Sequence, residues 1–238
     1  MPRGATETRV SHQFQTDVRE VETVGRRKWL EYGGIASGVI LIAFGIGAIG
    51  MSINGYMTVN DSLKAERITS EATEGMTPDK IAEDAKAAGL PESTPLPSCS
   101  VEGQDIDNAT KARCFAEYIR VHALEAAGGL TYSELGRYTA KDGDPKGTND
   151  AGAAEIDPKT SRPVSNPTRD TWVTATALST ALNVSFMAYN LALFGTVVGI
   201  ALLLSGIGFV ILAVLAIGRS ASGATPAEPE GTEPPATA

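Results

Sequence analysis

Two long stretches of this chain carry no charged side chain, and they constrain its fold more than any other feature. The longer one covers residues 171–218, and its second half, from residue 191, is apolar almost throughout. A helix rises 1.5 Å per residue, so about 20 residues cross a bilayer core of roughly 30 Å. Residues 191–218 are therefore predicted to form a transmembrane helix.

The first half of that stretch, residues 171–190, has a mixed composition. It places Trp172, Leu182 and Tyr189 among threonine, serine, alanine and asparagine. Such a segment is too polar to face lipid and too apolar to stand alone in water. We interpret it as an extension of the same helix that packs against the protein's own domain outside the membrane.

The second uncharged stretch covers residues 32–60 and is predicted to span the membrane over residues 32–57. A core helix of a soluble protein would normally show a polar face, and this stretch shows none. About thirty mostly polar residues precede it, and no small-x-small cleavage site follows it. We therefore expect a retained signal anchor rather than a cleaved signal peptide.

Basic residues beside the two spans predict their orientation. Arg26, Arg27 and Lys28 precede the first span, and Arg219 follows the second. Because basic flanks stay in the cytoplasm, we expect both termini inside the cell and residues 58–190 outside.

The predicted outer segment is acidic. It has thirteen basic and twenty acidic side chains, which is a net charge of −7 out of −8 for the whole chain. A domain of this charge is not expected to bind nucleic acid or an anionic membrane surface.

The only cysteines, Cys99 and Cys114, both fall in the outer segment. An oxidising compartment favours a disulfide between them, closing a loop of about fifteen residues. The alternatives are two free thiols or a zinc half-site. Zinc would need two further ligands, and the outer segment has a single histidine, so we predict the disulfide.

Helix signals divide the outer segment. The first span is expected to continue as a helical stalk that ends at Gly75. A helix is predicted from the Thr77 cap to Gly89, and another over residues 107–127. The pattern Thr131-Tyr-Ser-Glu is a capping box, which predicts a short helix ending at Arg137.

These features predict an all-α protein. It is a two-span transmembrane helical hairpin with a small helical, disulfide-stapled extracytoplasmic domain and disordered termini. Composition adds a mobile loop rich in glycine, aspartate and proline. The predicted divisions are a cytoplasmic N-terminal arm (1–31), transmembrane helix 1 (32–57), the extracytoplasmic domain (58–190) with its mobile loop (139–166), transmembrane helix 2 (191–218) and a disordered cytoplasmic tail (219–238).

Each predicted span has a stripe of small residues on one helical face. Such residues let helix backbones approach closely in lipid, although spans are also generally enriched in glycine. We predict an antiparallel intramolecular seam in which Gly38 faces Ala213, Gly45 faces Gly206 and Ser52 faces Gly199. A homodimer through the same stripes is the competing interpretation. The stripes consist of Gly34, Gly38, Gly45 and Ser52 in the first span and Gly195, Gly199, Gly206 and Ala213 in the second.

Six segments carry a resemblance to known sequences: FQTDVREVE, NDSLKAERIT, MTPDKIAEDAKAAGL, RCFAEYIRVHALEA, TWVTATALSTALN and LALFGTVVGIALLLSGIGF. Together they resemble a group of actinobacterial two-span membrane proteins, over most of residues 14–217. Some members of that group are labelled "aromatic ring-opening dioxygenase". The resemblance implies a membrane protein and supplies no functional residues to carry over.

The ring-opening label implies Fe(II) held by two histidines and one carboxylate. This chain has His12 and His122 only, and the predicted topology puts them on opposite sides of the membrane. One subunit cannot supply both ligands to one site. We therefore interpret the label as a misnomer and expect no metal or other cofactor.

Other candidates for chemistry are weak. Phe115, Tyr118 and Ile119 lie near His122 on its predicted helix, which favours a half-buried structural histidine over a ligand or base. The run around Asp142 and Asp144 lacks the register and closing glutamate of a calcium loop. No nucleophile–base pair or metal constellation is evident, so the chain is not predicted to be an enzyme.

We therefore expect a non-enzymatic integral membrane protein of the cell envelope, an accessory or scaffolding subunit that acts through its extracytoplasmic domain. Its expected partners are the lipid bilayer and a protein of the envelope, without nucleic acid, and a homo-oligomer is left open. The first alternative is an extracytoplasmic small-ligand-binding or sensor protein. The second is an enzyme of the ring-opening type.

Overall fold

The computed structural model contains four helices in the residues that it describes, which are 4–70 and 75–222 for the backbone and 32–70 and 75–218 for the side chains. Over these residues the remaining regular structure is limited to isolated β-bridges, so the predicted all-α class is confirmed. The helices are α1 (Gly4–Glu66), α2 (Pro78–Ala87), α3 (Ala109–Ala126) and α4 (Pro167–Ser222).

Two of these helices contain segments that are long and apolar enough to cross a membrane, Tyr32–Glu66 in α1 and Pro167–Gly218 in α4. Helix α1 already begins at Gly4, so the disorder expected at the N-terminus, over residues 1–14, is wrong from that residue onward. Helix α4 extends to Ser222, so residues 219–222 of the predicted disordered tail are helical, and the rest of the tail lies outside the described residues.

The chain divides into two compact units. The hairpin unit consists of Met1–Gly50 and Gly195–Ala238, and the central unit of Met51–Phe194. In the hairpin unit, the buried residues of α1 and α4 are Gly38, Gly45, Gly199, Gly206 and Ala213. Ile42, Ile49 and Val210 border this contact, whereas other large apolar side chains, such as Phe44 and Leu212, are exposed.

The central unit has the opposite arrangement, with large side chains inside. Its main core surrounds Tyr118 and Ile81, and a second cluster surrounds Trp172. Helix α4 contributes Leu182 to the first cluster and Trp172 to the second. The prediction that residues 171–190 extend the helix and pack on the protein's own domain is confirmed.

Helix ends in the central unit follow the local sequence in most places. Thr77 caps α2 as predicted, with its side chain accepting a hydrogen bond from the Lys80 N–H. Helix α3 begins at Ala109, slightly later than predicted, because the Asn108 side chain accepts hydrogen bonds from two backbone N–H groups of its first turn. Asn166 accepts from the Thr168 N–H at the start of α4.

Two predicted helical segments are wrong. The stalk ends at Glu66 rather than at Gly75, because Arg67 adopts a left-handed φ of 53°. The chain then pairs with another segment, where the Ile106 N–H donates to the Ile68 carbonyl.

The short helix predicted after Thr131 is the second error. Glu134 does accept from the Thr131 N–H at 2.8 Å, as a capping box requires. No helix forms over residues 131–137, because the Gly136 N–H donates to the Lys146 carbonyl at 2.7 Å and the chain enters the next loop.

Residues 139–166, which composition predicted to be a mobile loop, contain more order than that prediction implies. Isolated bridges join Tyr138 to Thr148 and to Ser165, and Ala140 to Ala154. The Asn166 side chain, buried beneath the loop, donates to the carbonyls of Gly136 and Lys146. The segment is therefore a structured loop fastened to the first residues of α4.

Candidate functional site

A disulfide fixes one wall of the main candidate site. Cys99 and Cys114 are bonded, with their Cα atoms 6.1 Å apart, so the predicted disulfide is confirmed. It ties the proline-rich segment 91–98 to α3. The Tyr118 hydroxyl, also on α3, donates to the Cys99 carbonyl at 2.6 Å, and burial raises the pKa of this phenol.

The proline-rich segment, α3 and the first half of α4 enclose a groove of about 470 Å³, which we call the α3–α4 groove. Volumes of this size are typical of sites for small molecules. The groove is lined by Pro95, Leu96, Pro97, Arg113, Ala116, Glu117, Arg120, Ala123, Trp172, Ala175, Thr176, Ser179, Thr180 and Asn183.

The two arginines of the groove differ in how they are engaged. The Arg113 Nε donates to the Glu117 carboxylate at 2.8 Å, and its guanidinium lies over the Phe186 ring. The Arg120 guanidinium lies 5.9 Å from the centre of the Trp172 ring and has no carboxylate partner in the described part of the chain. Arg120 therefore offers a positive charge and free N–H groups to the groove.

Polar side chains of α4 form the opposite wall. Ser179 donates to the Ala116 carbonyl of α3 at 3.4 Å. Thr176, Thr180 and Asn183 share one helical face and make no side-chain hydrogen bond within the described residues. The groove thus combines an arginine, two free hydroxyls and a free amide around a tryptophan.

His122, singled out from the sequence, lies on another face of α3. Its Nδ1 is 2.9 Å from the Glu125 carboxylate, and its side chain is partly exposed, as predicted. The second carboxylate oxygen of Glu125 is buried without a protein hydrogen-bond partner. Among the described side chains no group of three potential metal ligands comes together, and His12 lies outside them.

The aspartates of the loop serve its turns. Asp142, Asp144, Asp150 and Asp157 each accept a hydrogen bond from the backbone N–H two residues further on. These contacts explain why so many carboxylates occur in the segment without a calcium loop.

The small residues of the two spans do meet in the hairpin unit, but the predicted register is wrong. A Cβ built at Gly34 would lie 3.2 Å from the Ala213 Cβ. Built at Gly38 or Gly45, it would lie 2.7 Å from the Gly206 carbonyl or 2.8 Å from the Gly199 carbonyl. Gly38 therefore does not face Ala213, and Gly45 does not face Gly206.

Ser52 and Gly195 are the remaining residues of the predicted seam, and they take part less directly in the contact between the two helices. Ser52 is buried, but Gly199 packs against Gly45 and Ile49, so the predicted pairing of Ser52 with Gly199 is also wrong. Gly195 is half-buried.

The α3–α4 groove is the feature that sequence reasoning missed. The spacing of Arg113, Glu117 and Arg120 places them on one face of a helix, and Thr176, Thr180 and Asn183 are spaced in the same way. That signal was present, but the sequence does not show that the two faces and the proline-rich segment adjoin.

Comparisons with protein-family models, curated proteins and solved structures find no match to this chain. The resemblance to actinobacterial two-span proteins therefore stays a prediction.

Proposed function

We propose that this chain is a non-enzymatic two-span membrane protein of the cell envelope that acts as an accessory or scaffolding subunit. The proposal places residues 58–190 outside the cytoplasm and both termini inside. Its surroundings are then the bilayer and a partner protein of the envelope.

The observation that carries this proposal is the inverted burial of the hairpin unit. Glycines and one alanine are buried between α1 and α4, whereas Phe44 is 69% exposed and Leu212 is 66% exposed. In water such a surface would drive aggregation. In a bilayer the lipid chains cover the large side chains, and small residues let the two backbones approach.

The disulfide supports the proposed orientation of the central unit. Stable disulfides belong to oxidising compartments, and both cysteines lie in residues 58–190. The basic residues at Arg26, Arg27, Lys28 and Arg219 favour the same orientation, since positive flanks remain in the cytoplasm.

A binding role is favoured over catalysis by the groups available in the central unit. His122 is paired with Glu125, and the loop aspartates bind backbone N–H groups of their own turns. These side chains have structural partners already. The α3–α4 groove favours the second candidate function, the binding of a small ligand.

Extraction and labelling test the membrane and topology proposals. Alkaline carbonate should leave the chain in the membrane pellet, and release into the supernatant would contradict the proposal. Lys159→Cys, at an exposed position, should react with an impermeant maleimide in intact cells. The matched variant Ser220→Cys should react only after lysis. The reverse pattern would overturn the topology.

The scaffolding role is tested by affinity purification from membranes dissolved in a mild detergent. A protein recovered in stoichiometric amount with the wild-type chain supports it. The control is a chain in which an unrelated soluble domain replaces residues 58–190 between the same two spans. Recovery of the same protein with that control would contradict a role for the central unit.

A further inference from the structure

We propose that the α3–α4 groove binds a small organic anion, whose carboxylate or phosphate group pairs with Arg120 and whose polar body lies along α4. This binding goes beyond a scaffolding role and does not depend on it. All the residues that carry the inference belong to the central unit.

The anionic character of the ligand follows from Arg120. Its planar guanidinium offers paired N–H donors that match a carboxylate or a phosphate. In the described part of the chain no carboxylate occupies it, although residues 58–190 carry seven more acidic than basic side chains. Arg113, by contrast, is already bound to Glu117. Arg120 is therefore the arginine of the groove whose guanidinium remains available to an anion.

Trp172 holds that arginine in place. The indole is 6% exposed in the core cluster around it, and the Arg120 guanidinium lies over its ring at 5.9 Å. This cation–π contact restricts the Arg120 side chain and leaves its N–H groups available to other hydrogen-bond acceptors. An orientation fixed before binding reduces the entropy lost when an anion is bound.

The polar body of the ligand follows from α4. Elsewhere on this helix, polar side chains bond to carbonyls of their own helix, as Thr174 and Ser185 do. Thr176, Thr180 and Asn183 line the groove and make no such bond within the described residues. Two hydroxyls and an amide can accept and donate hydrogen bonds, so they suit a ligand that carries hydroxyl or amide groups.

The proline-rich segment 91–98, which forms the third wall of the groove, explains why the ligand should be small. Pro95 and Pro97 border the groove, and the Cys99–Cys114 disulfide fastens their segment to α3. A volume of about 470 Å³ fits a ligand of metabolite size. An acidic peptide of a partner protein is the competing occupant, and the experiment below separates the two.

Trp172 provides the readout for the experiment. The chain has two tryptophans, Trp29 and Trp172, so Trp29→Phe leaves one emitter beside the groove. The full chain in lipid nanodiscs is titrated with gluconate as a hydroxylated carboxylate and with glucose 6-phosphate as a hydroxylated phosphate. Uncharged glucose and an acidic glutamate-rich peptide are titrated in parallel.

The expected result is a saturable change of Trp172 fluorescence with gluconate or glucose 6-phosphate and none with glucose. Arg120→Gln should weaken the binding about tenfold or more, since a hydrogen-bonded charge pair is lost. Arg120→Lys should recover little of it, because an ammonium lacks the planar fork. Arg162→Gln, the same charge change at an exposed position away from the groove, should leave the affinity unchanged.

Thr180→Val tests the polar wall separately. It removes one hydroxyl from a side chain of nearly the same shape and should weaken binding severalfold without disturbing the core. The proposal is overturned if neither small anion gives a saturable change up to roughly 10 mM, an affinity too weak to be specific. It is also overturned if Arg120→Gln binds as well as wild type, or if only the peptide binds.

Discussion

The hairpin unit and the central unit are built by opposite rules although α1 and α4 contribute to both. In the hairpin unit the helices approach closely at glycines, as at Gly45 and Gly199, where the facing backbone leaves no room for a Cβ atom. In the central unit large side chains such as Tyr118 and Ile81 are fully buried, and a disulfide adds a covalent link.

The proposed membrane location of the hairpin unit would account for this difference, because different forces drive helices together in water and in lipid. In water, burying large apolar side chains is the main favourable term. In lipid that term vanishes between helices, and close packing of small residues replaces it. Helix α4 shows both rules in one element, with Trp172 and Leu182 buried in the central unit and Phe209 exposed in the hairpin unit.

Among the substitutions that test this difference between the two units, Gly45→Leu is expected to have the largest effect on stability. A Cβ at this position would meet the Gly199 carbonyl and the Leu203 N–H at 2.8 Å, so a leucine must push the helices apart. We expect a cost above the roughly 1–3 kcal/mol that is typical of overpacking, because the atoms to be displaced belong to the backbone of the facing helix. Gly47→Leu is the matched control, because a Cβ at Gly47 meets nothing within 4 Å.

The measurement is a disulfide between Gly34→Cys and Ala213→Cys, formed by oxidation in the membrane. Cβ positions 3.2 Å apart are close to the separation that a disulfide requires. The crosslink should form within one chain, persist with Gly47→Leu and be lost with Gly45→Leu. Efficient crosslinking of Gly38→Cys to Ala213→Cys instead would restore the register predicted from the sequence. Crosslinks only between chains would favour a homodimer.

Removing the disulfide should produce the next largest effect, and only in the central unit. Cys99→Ser with Cys114→Ser opens a loop with a sequence separation of 15, which corresponds to about 3 kcal/mol in the chain-entropy model. Urea unfolding followed by Trp172 fluorescence in the Trp29→Phe background measures this loss. The crosslink between positions 34 and 213 should still form. If it fails, the two units depend on one another more than their separate packing indicates.

Asn166→Ala should have an intermediate effect by releasing the structured loop from α4. The Asn166 side chain caps α4 through Thr168 and donates to the Gly136 and Lys146 carbonyls. Losing the cap and leaving the Gly136 carbonyl without its donor should cost roughly 2 kcal/mol, while the Lys146 carbonyl keeps the Gly136 N–H. Asn166→Ser keeps a capping oxygen and should recover part of that loss in the same urea assay. Equal stability of the two variants would show that the cap contributes little.

The sequence predicted which kinds of helix make up the two units better than it predicted the contacts within each unit. The uncharged stretches and the stripe of small residues in each predicted span indicated two long apolar helices that meet at small residues, as the structure shows. The sequence could not determine the register of the two helices. A stripe that repeats every seven residues still places small residues opposite one another when one helix is shifted by seven residues along the other. Gly206 accordingly meets Gly38 rather than Gly45, and Gly199 meets Gly45 rather than Ser52.

In the central unit, local signals succeeded and contacts between distant segments were missed. The Thr77 cap and the cysteine pair needed only nearby residues or a shared compartment. The α3–α4 groove needs three segments that are far apart in the chain to adjoin. The structured loop depends on Asn166 reaching carbonyls up to 30 residues away, and glycine-rich composition gives no indication of such a contact.

The smallest predicted effect concerns the capping box formed by Thr131 and Glu134, which in this structure is not followed by a helix. Glu134 accepts from the Thr131 N–H at 2.8 Å and from the Thr131 hydroxyl at 2.7 Å. The backbone hydrogen bond, followed by the hydroxyl, holds the pKa of Glu134 below its usual value of 4.5. A depressed carboxyl pKa adds stability above the unfolded-state value, and that stability is lost as pH falls through the folded-state value.

The urea stability of wild type should therefore fall slightly as the pH drops below about 4.5, relative to Glu134→Gln, which cannot titrate. The side chain is exposed, so solvent keeps the difference small. Glu92→Gln is the control, because the exposed Glu92 side chain makes no hydrogen bond within the described residues and the variant should follow the wild-type profile. If Glu134→Gln and wild type lose stability in parallel through this range, the carboxylate charge of Glu134 does not stabilise the turn. The turn would then be held by its backbone hydrogen bonds to the Thr131 carbonyl and by the burial of Leu135.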